Sequence, residues 1–554
     1  MNLKNVVLKY VLQNAVFYGG KASPKAVLGK VMASEPELRK RVHEVKAEIE
    51  KVVKEVNSLS REKQKEMLQK IAPELLKREE KRQETLPELP GAHPGRVVTR
   101  FAPAPTGPLN ISHLLRAAML SYLYAKKYNG KFILRFEDTD ARRIEKRFYD
   151  MIMEDLKVCG VKWDKLVIES DDMELYYKYA EELINTNKAY ACTCSAENFR
   201  KFKLEKRNCP CREKGKEENM KLWQEMLKGK YREGEIVLRF KTSMHDPNPA
   251  FRDPPIMRIN EAEHPLKGKK YRVWPLYNYA NVIEDHVCGI THVFRGKEHE
   301  HNTEIQRRIY QAFGWEPPIV VNFGMIYLPG EKLHTRDIKR MIENGEVSGW
   351  DDPRLHTVRA LLRRGFQPEA FRMYAEHCSL TKTDIILNWE TFESYNRKVI
   401  DPIAKRYMVV INPVKIDISS SKVSGSKVRL KTHPEKEETR EVEVGNYIYV
   451  SKEDFEKFKG KKIRLKELAT GVLNKRFEEM ESIPEEDRVL QKIQWVPERY
   501  VNVIIVKPEG EEEGIGEYSM ESLKPGDIIQ MERIGFGRVD AVDKNIVTIF
   551  FAHK

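Results

Sequence analysis

Arg100-Phe-Ala-Pro-Ala-Pro-Thr-Gly-Pro-Leu-Asn-Ile-Ser-His113, followed one helix length later by Phe132-Ile-Leu-Arg-Phe-Glu-Asp-Thr-Asp140, decides how this chain is read. Val97, Val98 and Phe101 mark an apolar strand, the Pro/Gly stretch a turn, and the residues from about His113 a long amphipathic helix. The second stretch is another strand, and it ends in the carboxylates Glu137, Asp138 and Asp140. A strand-helix-strand unit with polar groups at its strand ends predicts an open α/β sheet with its ligand site there. Gly107 permits close backbone approach at the turn, and Asn110 or Ser112 can cap the helix, whose N-terminus offers N–H donors to a phosphate. Neither a Walker loop nor a dinucleotide fingerprint is present.

Working outward, 554 residues exceed what one core supports, and about three to five domains are expected. Hydrophobic residues make up 41% of the chain, ordinary for a globular protein, and no apolar run reads as a membrane span. The first residues lack the apolar core and cleavage site of a secretory signal, so a cytoplasmic location and no membrane partner are expected. A net charge of +14 favours a polyanionic partner.

Residues 1-90 read as a helical extension closed by the linker Leu86-Pro-Glu-Leu-Pro-Gly-Ala-His-Pro-Gly95. Strand and helix alternate over 96-190, the first half of an α/β domain. An insertion with a cysteine cluster and a Lys/Glu-rich helix occupies 191-270, and the second α/β half occupies 271-345. Residues 346-405 read as connecting helices. From 406 to 554 short alternating strands predict one or two antiparallel barrels, with Ser419–Ser426 a flexible loop and Glu509–Glu513 an acidic one.

Seven cysteines are too few for a disulfide scaffold. Cys159, Cys288 and Cys378 are isolated and read as buried residues. Cys192, Cys194, Cys209 and Cys211, spaced C-x-C-x14-C-x-C, offer four thiolates, enough for one structural zinc in a closed tetrahedral shell.

The two opening motifs, together with Tyr277-Asn-Tyr-Ala-Asn281 and His292-Val-Phe-Arg-Gly-Lys-Glu-His299, resemble the class I aminoacyl-tRNA synthetases, glutamyl/glutaminyl branch. The resemblance covers residues from about 96 to 554. The C-terminal strands, with Glu532-Arg-Ile-Gly-Phe-Gly-Arg-Val-Asp540, resemble the β-barrel anticodon module of the archaeal and eukaryotic glutamyl type. Resemblance implies a Rossmann-like catalytic domain and an inserted domain for the tRNA acceptor stem. The implied reaction joins ATP and glutamate into glutamyl-adenylate and passes the acyl group to the 3′ end of tRNA-Glu, with tRNA-Gln a further candidate acceptor. Mg2+ is expected with the ATP.

It further implies that Arg100, Glu137, Tyr277, Asn281 and Arg295 bind the amino acid, with Arg295 and Arg100 on carboxylates and Glu137 on the α-ammonium. Two arginines and a glutamate match the charges of an acidic amino acid. Gly107, Asn110, Ser112, His113, Glu298 and His299 would face ATP. The family's His-Ile-Gly-His signature stands here as Asn110-Ile-Ser-His113, and its Lys-Met-Ser-Lys-Ser signature aligns with Lys332-Leu-His-Thr-Arg-Asp-Ile338. Asp337 falls at the expected lysine, so Lys332 and Arg336 are the catalytic cations available beside Asn110 and His113, and Arg336 is preferred because a guanidinium grips phosphate oxygens two at a time. A glutaminyl enzyme, a tRNA-binding paralogue with weakened catalysis, and an enzyme that glutamylates a tRNA base are the alternatives.

Overall fold

Val45, Ile49, Val52, Val53 and Val56 fall on one stripe at the three- and four-residue spacing of a helix, and all five are buried. The structure, a computed structural model, describes residues 3–17, 20–35, 38, 41–76, 86–329, 335–480 and 490–554. That valine stripe belongs to the third of four helices, α1 (Leu3–Phe17), α2 (Pro24–Ser34), α3 (Val42–Asn57) and α4 (Arg61–Ile71), which make one unit spanning Met1–Thr85. Ser60 caps α4 by accepting from the Lys63 N–H. Gln64 is buried, and its amide donates to the carbonyls of Gly20, Val56 and Leu59 at 2.9, 2.9 and 3.2 Å. One side chain thereby satisfies three backbone acceptors between helices.

The second unit runs from Leu86 to Lys554. It begins with β1 (Val98–Phe101), a π-helical stretch His113–Ala118 continuing into α5 (Met119–Lys127), β2 (Lys131–Phe136), α6 (Lys146–Val158), β3 (Lys165–Ile168) and α7 (Met173–Asn185). A four-stranded antiparallel sheet follows: β4 (Ala189–Cys192), β5 (Val237–Phe240), β6 (Pro255–Ile259) and β7 (Val273–Pro275), with α8 (Ala196–Leu204) and α9 (Lys216–Leu227) between its first two strands. The chain then returns through α10 (Tyr277–Val287), β8 (His292–Gly296), α11 (Glu300–Phe313) and β9 (Ile319–Phe323). The four-stranded sheet, from Ala189 to Pro275, spans the region expected as an insertion over 191-270.

Five strands form one parallel sheet in the order β3-β2-β1-β8-β9. Being covered on both faces, β2 is buried at every position after Lys131 rather than alternating. Chain order reverses between β1 and β8, and their carboxyl ends therefore part around a crevice, the usual ligand position in such sheets. Phe101, Leu114, Leu115, Phe132, Leu134 and Phe136 form the floor of this domain's core.

Beyond β9 come α12 (Thr335–Glu343), α13 (Val358–Arg364), α14 (Pro368–Cys378) and α15 (Trp389–Ile400). The C-terminal region holds two cores and a seven-stranded sheet, ordered Lys405–Tyr407, Ile528–Met531, Gly535–Asp543, Ile546–His553, Tyr500–Lys507, Gly510–Glu517, Val409–Ile411. Its two edge strands are separated in the chain by Met408 alone, so the sheet must curl back on itself into a near-barrel. Most of its joints are antiparallel; Lys405–Tyr407 on Ile528–Met531 and Tyr500–Lys507 on Ile546–His553 are parallel. The acidic run expected as a loop at Glu509–Glu513 is instead largely strand, its glutamates paired across from Ile504, Ile505 and Val506. Arg363 and Arg364 of α13 hold this region. Arg363 meets the Asp540 carboxylate with two bonds of 3.0 Å, and Arg364 donates to the Phe551 and Ala552 carbonyls at 2.9 Å.

Candidate active site

Asn110 and Thr106-Gly107 stand where the Pro/Gly turn enters its helix, and the crevice between β1 and β8 opens over them. Of the two expected caps, Asn110 does the work: its Oδ1 accepts from the His113 N–H at 2.8 Å. Ser112 makes no cap bond; its hydroxyl accepts from the Ile326 N–H at 3.3 Å, tying the helix to the chain beyond β9. His113 lines the cleft, and its pKa is lowered, desolvation outweighing the opposing pull of Glu298. A Cβ at Gly107 would collide with the methyl group of Thr335, so the glycine leaves room for the first residue of α12.

The two expected cations fare differently. Lys332 lies outside the described residues. Arg336 sits in the first turn of α12 with its side chain 83% exposed, 3.8 Å from Asp337, and does not line the cleft. Thr335 does line it. Lys339, one turn on, binds Glu145 at 2.7 Å and anchors α12 beside α6.

On the other wall, burial and charge decide which side chains a ligand meets. Arg135, 1% exposed in β2, reaches Asp285 at 2.6 Å, Asn281 at 2.9 Å, Glu169 at 3.4 Å and Glu137 at 3.6 Å. Asp285 also accepts from Arg100 Nε at 3.1 Å. Burial alone would raise the Asp285 carboxyl, but the Arg100 and Arg135 charges outweigh it and the pKa is lowered. Glu169 goes the other way, pushed well up by burial and by the Glu137 charge. Asn281, expected on the substrate, is buried behind the wall; it accepts from Arg100 and Arg135 and donates to Glu137 at 2.9 Å. Arg100, Glu137 and Tyr277 do line the cleft. Burial, then the neighbouring Glu137, raises the Tyr277 hydroxyl to about 12, so it remains a neutral donor.

Arg295, next to last in β8 and 5% exposed, lines the cleft with Tyr277. Its Nη1 donates to Gln306 Oε1 at 2.9 Å, but Nε and Nη2 are buried and no described residue accepts from them. Desolvation lowers its pKa, although a guanidinium has far to fall before it loses its charge. A buried cation with two unanswered donors is costly unless an anion completes it, and a planar carboxylate matches that pair of N–H groups. Glu298 and His299 line the same cleft, and Gly296 keeps the space that the Glu298 carboxylate occupies. Burial and the Arg295 charge lower the His299 pKa.

Away from the cleft, the four expected cysteines come together at the end of β4 and before α9. Their sulfurs all lie within 4.8 Å of one another, with Cys192–Cys209 at 4.0 Å and Cys194–Cys211 at 3.7 Å. Tetrahedral zinc with bonds of about 2.3 Å sets its sulfurs about 3.8 Å apart, so these residues fit the ion. The Thr193 N–H points at Cys211 Sγ at 3.4 Å, a donor that suits a thiolate.

Residue reading missed the buried layer. Arg135, Asp285, Glu169 and Glu284, the last accepting from Tyr176 Oη at 2.6 Å, were not singled out, although an arginine inside the apolar strand Phe132-Ile-Leu-Arg-Phe136 was a visible signal. Arg116 also escaped notice; buried, it donates to the carbonyls of Gly324, Cys378, Ser379 and Thr381, bracing the start of the cleft helix against the chain beyond β9.

Comparison with known proteins agrees with this geometry. Residues 96–402 match the family described as tRNA synthetases class I (E and Q), catalytic domain, and residues 404–494 and 492–540 match its two anti-codon binding domains. Among curated relatives, the glutamate--tRNA ligases of Pyrococcus furiosus, Pyrococcus abyssi and Thermococcus kodakarensis are 45%, 46% and 44% identical, each match covering 100% of both chains. A parallel sheet with its crevice at the β1/β8 switch, an insertion between its halves and a curled C-terminal sheet are accounted for by one membership: the chain belongs to the class I aminoacyl-tRNA synthetases of the glutamate and glutamine (E and Q) group.

Proposed function

We propose that this protein is a glutamate–tRNA ligase, acting in the cytoplasm on tRNA-Glu. The observation that carries this reading is Arg295, a buried guanidinium on the cleft wall with two donors unanswered, in a chain that matches glutamate--tRNA ligases end to end. A glutamate side-chain carboxylate supplies the two missing acceptors. The amide of glutamine would set an N–H2 against one of those donors, and an unpaired buried group of that kind is what discriminates strongly. Glu137, with its carboxylate on the cleft wall, takes the α-ammonium, and Arg100 and Tyr277 close the amino-acid side.

In the first step an oxygen of the glutamate α-carboxylate attacks the α-phosphorus of ATP; the new O–P bond forms as the bond to pyrophosphate breaks, giving glutamyl-adenylate. The nucleophile belongs to the substrate, so the protein's task is alignment and charge stabilisation. Phosphates would lie against the helix N-terminus at Asn110–His113, where N–H donors and the helix dipole favour negative charge, with Glu298 and His299 opposite. Mg2+ accompanying the nucleotide would supply further neutralisation. In the second step a hydroxyl of the terminal tRNA ribose attacks the acyl carbon, AMP leaves, and the ester is formed. Cys192, Cys194, Cys209 and Cys211 would hold a structural zinc that knits the insertion where it meets the acceptor stem. The C-terminal sheets would read the anticodon, whose unstacked bases suit aromatic and arginine side chains.

Charging assays with purified tRNA-Glu and tRNA-Gln, and with labelled glutamate or glutamine, test the reading. Glutamate on tRNA-Glu is the expected product. Glutamine on tRNA-Gln would make it a glutaminyl enzyme, and tRNA binding with no product at any enzyme concentration would leave a binding paralogue.

A further inference from the structure

Arg295 is the first link of a chain of hydrogen bonds that ends at a second cleft residue. Its Nη1 donates to Gln306 Oε1 at 2.9 Å; Gln306 Nε2 donates to Asn278 Oδ1 at 3.1 Å. Asn278 Nδ2 then donates to Asn302 Oδ1 at 3.0 Å, and Asn302 Nδ2 stands 3.1 Å from His299 Nδ1. Asn302 and Gln306 lie one turn apart on α11, Asn278 on α10, and His299 in the short turn Lys297–His299 after β8. None of the three amides lines the cleft, while both ends of the chain do.

The direction of every bond in this chain follows from its first member. A guanidinium can only donate, so Gln306 must present its oxygen to Arg295 and its NH2 to Asn278. The same choice then passes to Asn278 and to Asn302, since each amide has one accepting and one donating end. At the last link the Asn302 NH2 faces His299, and Nδ1 must accept. We propose that Gln306, Asn278 and Asn302 are positioning residues that fix His299 as the Nε2–H tautomer, so that a neutral imidazole presents an N–H donor to an oxygen of the nucleotide or adenylate in the cleft.

Around the ring stand Arg295, Glu298, Glu137, His301 and the Tyr277 ring; Glu298 Oε1 is 3.9 Å from Nε2. Desolvation and the Arg295 charge keep the imidazole neutral against the carboxylates, which is the state the chain of amides requires. One arginine thus serves two purposes: two of its donors stay open for a substrate carboxylate, and a third sets the hydrogen pattern of the neighbouring histidine. The role given to the Nε2–H rests on the ligase reading; the tautomer itself does not.

The test is 15N NMR of full-length protein carrying ring-labelled histidine, with the His299 signal identified by its loss in His299→Gln. Without substrate at pH 7.5, the expected spectrum shows the proton on Nε2 and an unprotonated Nδ1. Asn302→Asp replaces the donor to Nδ1 by a carboxylate; the proton should move to Nδ1 and the pKa of His299 should rise by about 1–3 pH units. In that variant the protonated ring still donates from Nε2 but the neutral ring does not, so glutamylation should fall as pH rises through the new His299 pKa, a displacement of the pH profile that loss of structure alone would not produce. A proton on Nδ1 in the unaltered protein, or an unmoved His299 pKa in folded Asn302→Asp, would overturn the proposal. If Asn302→Asp does not fold, the tautomer in the unaltered protein still decides. An Nε2–H tautomer in a protein that never charges tRNA would leave the relay standing and remove the ligase reading instead.

Discussion

Arg135 Nη1 lies 2.6 Å from Asp285 Oδ1, both side chains almost wholly out of water, and Arg100 reaches the same oxygen from β1 at 3.1 Å. One carboxylate on α10 therefore fixes arginines from two adjacent strands of the parallel sheet. That joint fixes one wall of the cleft, because Arg100 lines it and Arg135 braces Arg100's partner Asp285 from behind.

Removing the Asp285 charge should be felt as instability before it is felt as chemistry. Asp285→Asn leaves two buried guanidiniums under-compensated, a loss of about 3–5 kcal/mol. Urea unfolding at pH 7 should show a markedly lower midpoint; an unchanged midpoint would contradict the bracing role. The pH dependence has a definite sign. Asp285 has a folded pKa below its unfolded value of about 3.9, so its contribution is complete above that unfolded pKa and is lost as pH falls through the folded one. The Asn variant should lose that part of the acid sensitivity.

Arg295→Gln should raise the KM for glutamate by about 10- to 100-fold, the range of one charge-assisted pair, while the KM for ATP stays within about twofold. Steady-state charging with each substrate varied in turn measures this. Equal losses for the two substrates would take Arg295 out of the amino-acid pocket.

Much of this could be read from the residues, and the limits of that reading have physical causes. The β-α-β unit was legible because apolar periodicity and a Pro/Gly turn are local signals, and the cleft residues Arg100, Glu137, Tyr277 and Arg295 came with the motifs around them. Asn281 read as a substrate contact because sequence cannot say whether a polar side chain faces the crevice or its supporting wall. Asp138 read as a site carboxylate for the same reason; it is buried, accepting from Tyr149, from the Ser170 N–H and from the Ser170 hydroxyl. The Glu509–Glu513 run read as a loop on charge alone, whereas its pairing with Ile504–Val506 is a long-range fact about the sheet.

Asn110 stands where the family has histidine, and the cap gives that departure a reason. Asn110→Ala removes the acceptor for the His113 N–H and should cost about 1 kcal/mol in unfolding experiments. Asn110→Asp keeps the cap and should hold stability within about 0.5 kcal/mol, yet it sets a negative charge beside the proposed phosphate position, so the KM for ATP should rise. If Asn110→Asp binds ATP as well as the unaltered protein, the phosphates do not lie at this helix end.

Zinc content is checked directly by elemental analysis of protein purified without chelator, with about one equivalent per chain expected. Cys209→Ser should release the ion and lower the thermal midpoint of the insertion, as ligand binding is linked to folding at such sites. Metal-free protein with an undiminished midpoint would mean that the four thiols are only packed together.

Transfer of labelled glutamate to the 3′ end of tRNA-Glu, measured in parallel with glutamine and tRNA-Gln, bears most directly on the whole account. Glutamate on tRNA-Glu, abolished or severely reduced in Arg295→Gln, is what the unanswered donors of that guanidinium require. Charging with glutamine in preference to glutamate, or a cleft that binds neither amino acid in the presence of ATP and tRNA, would contradict it.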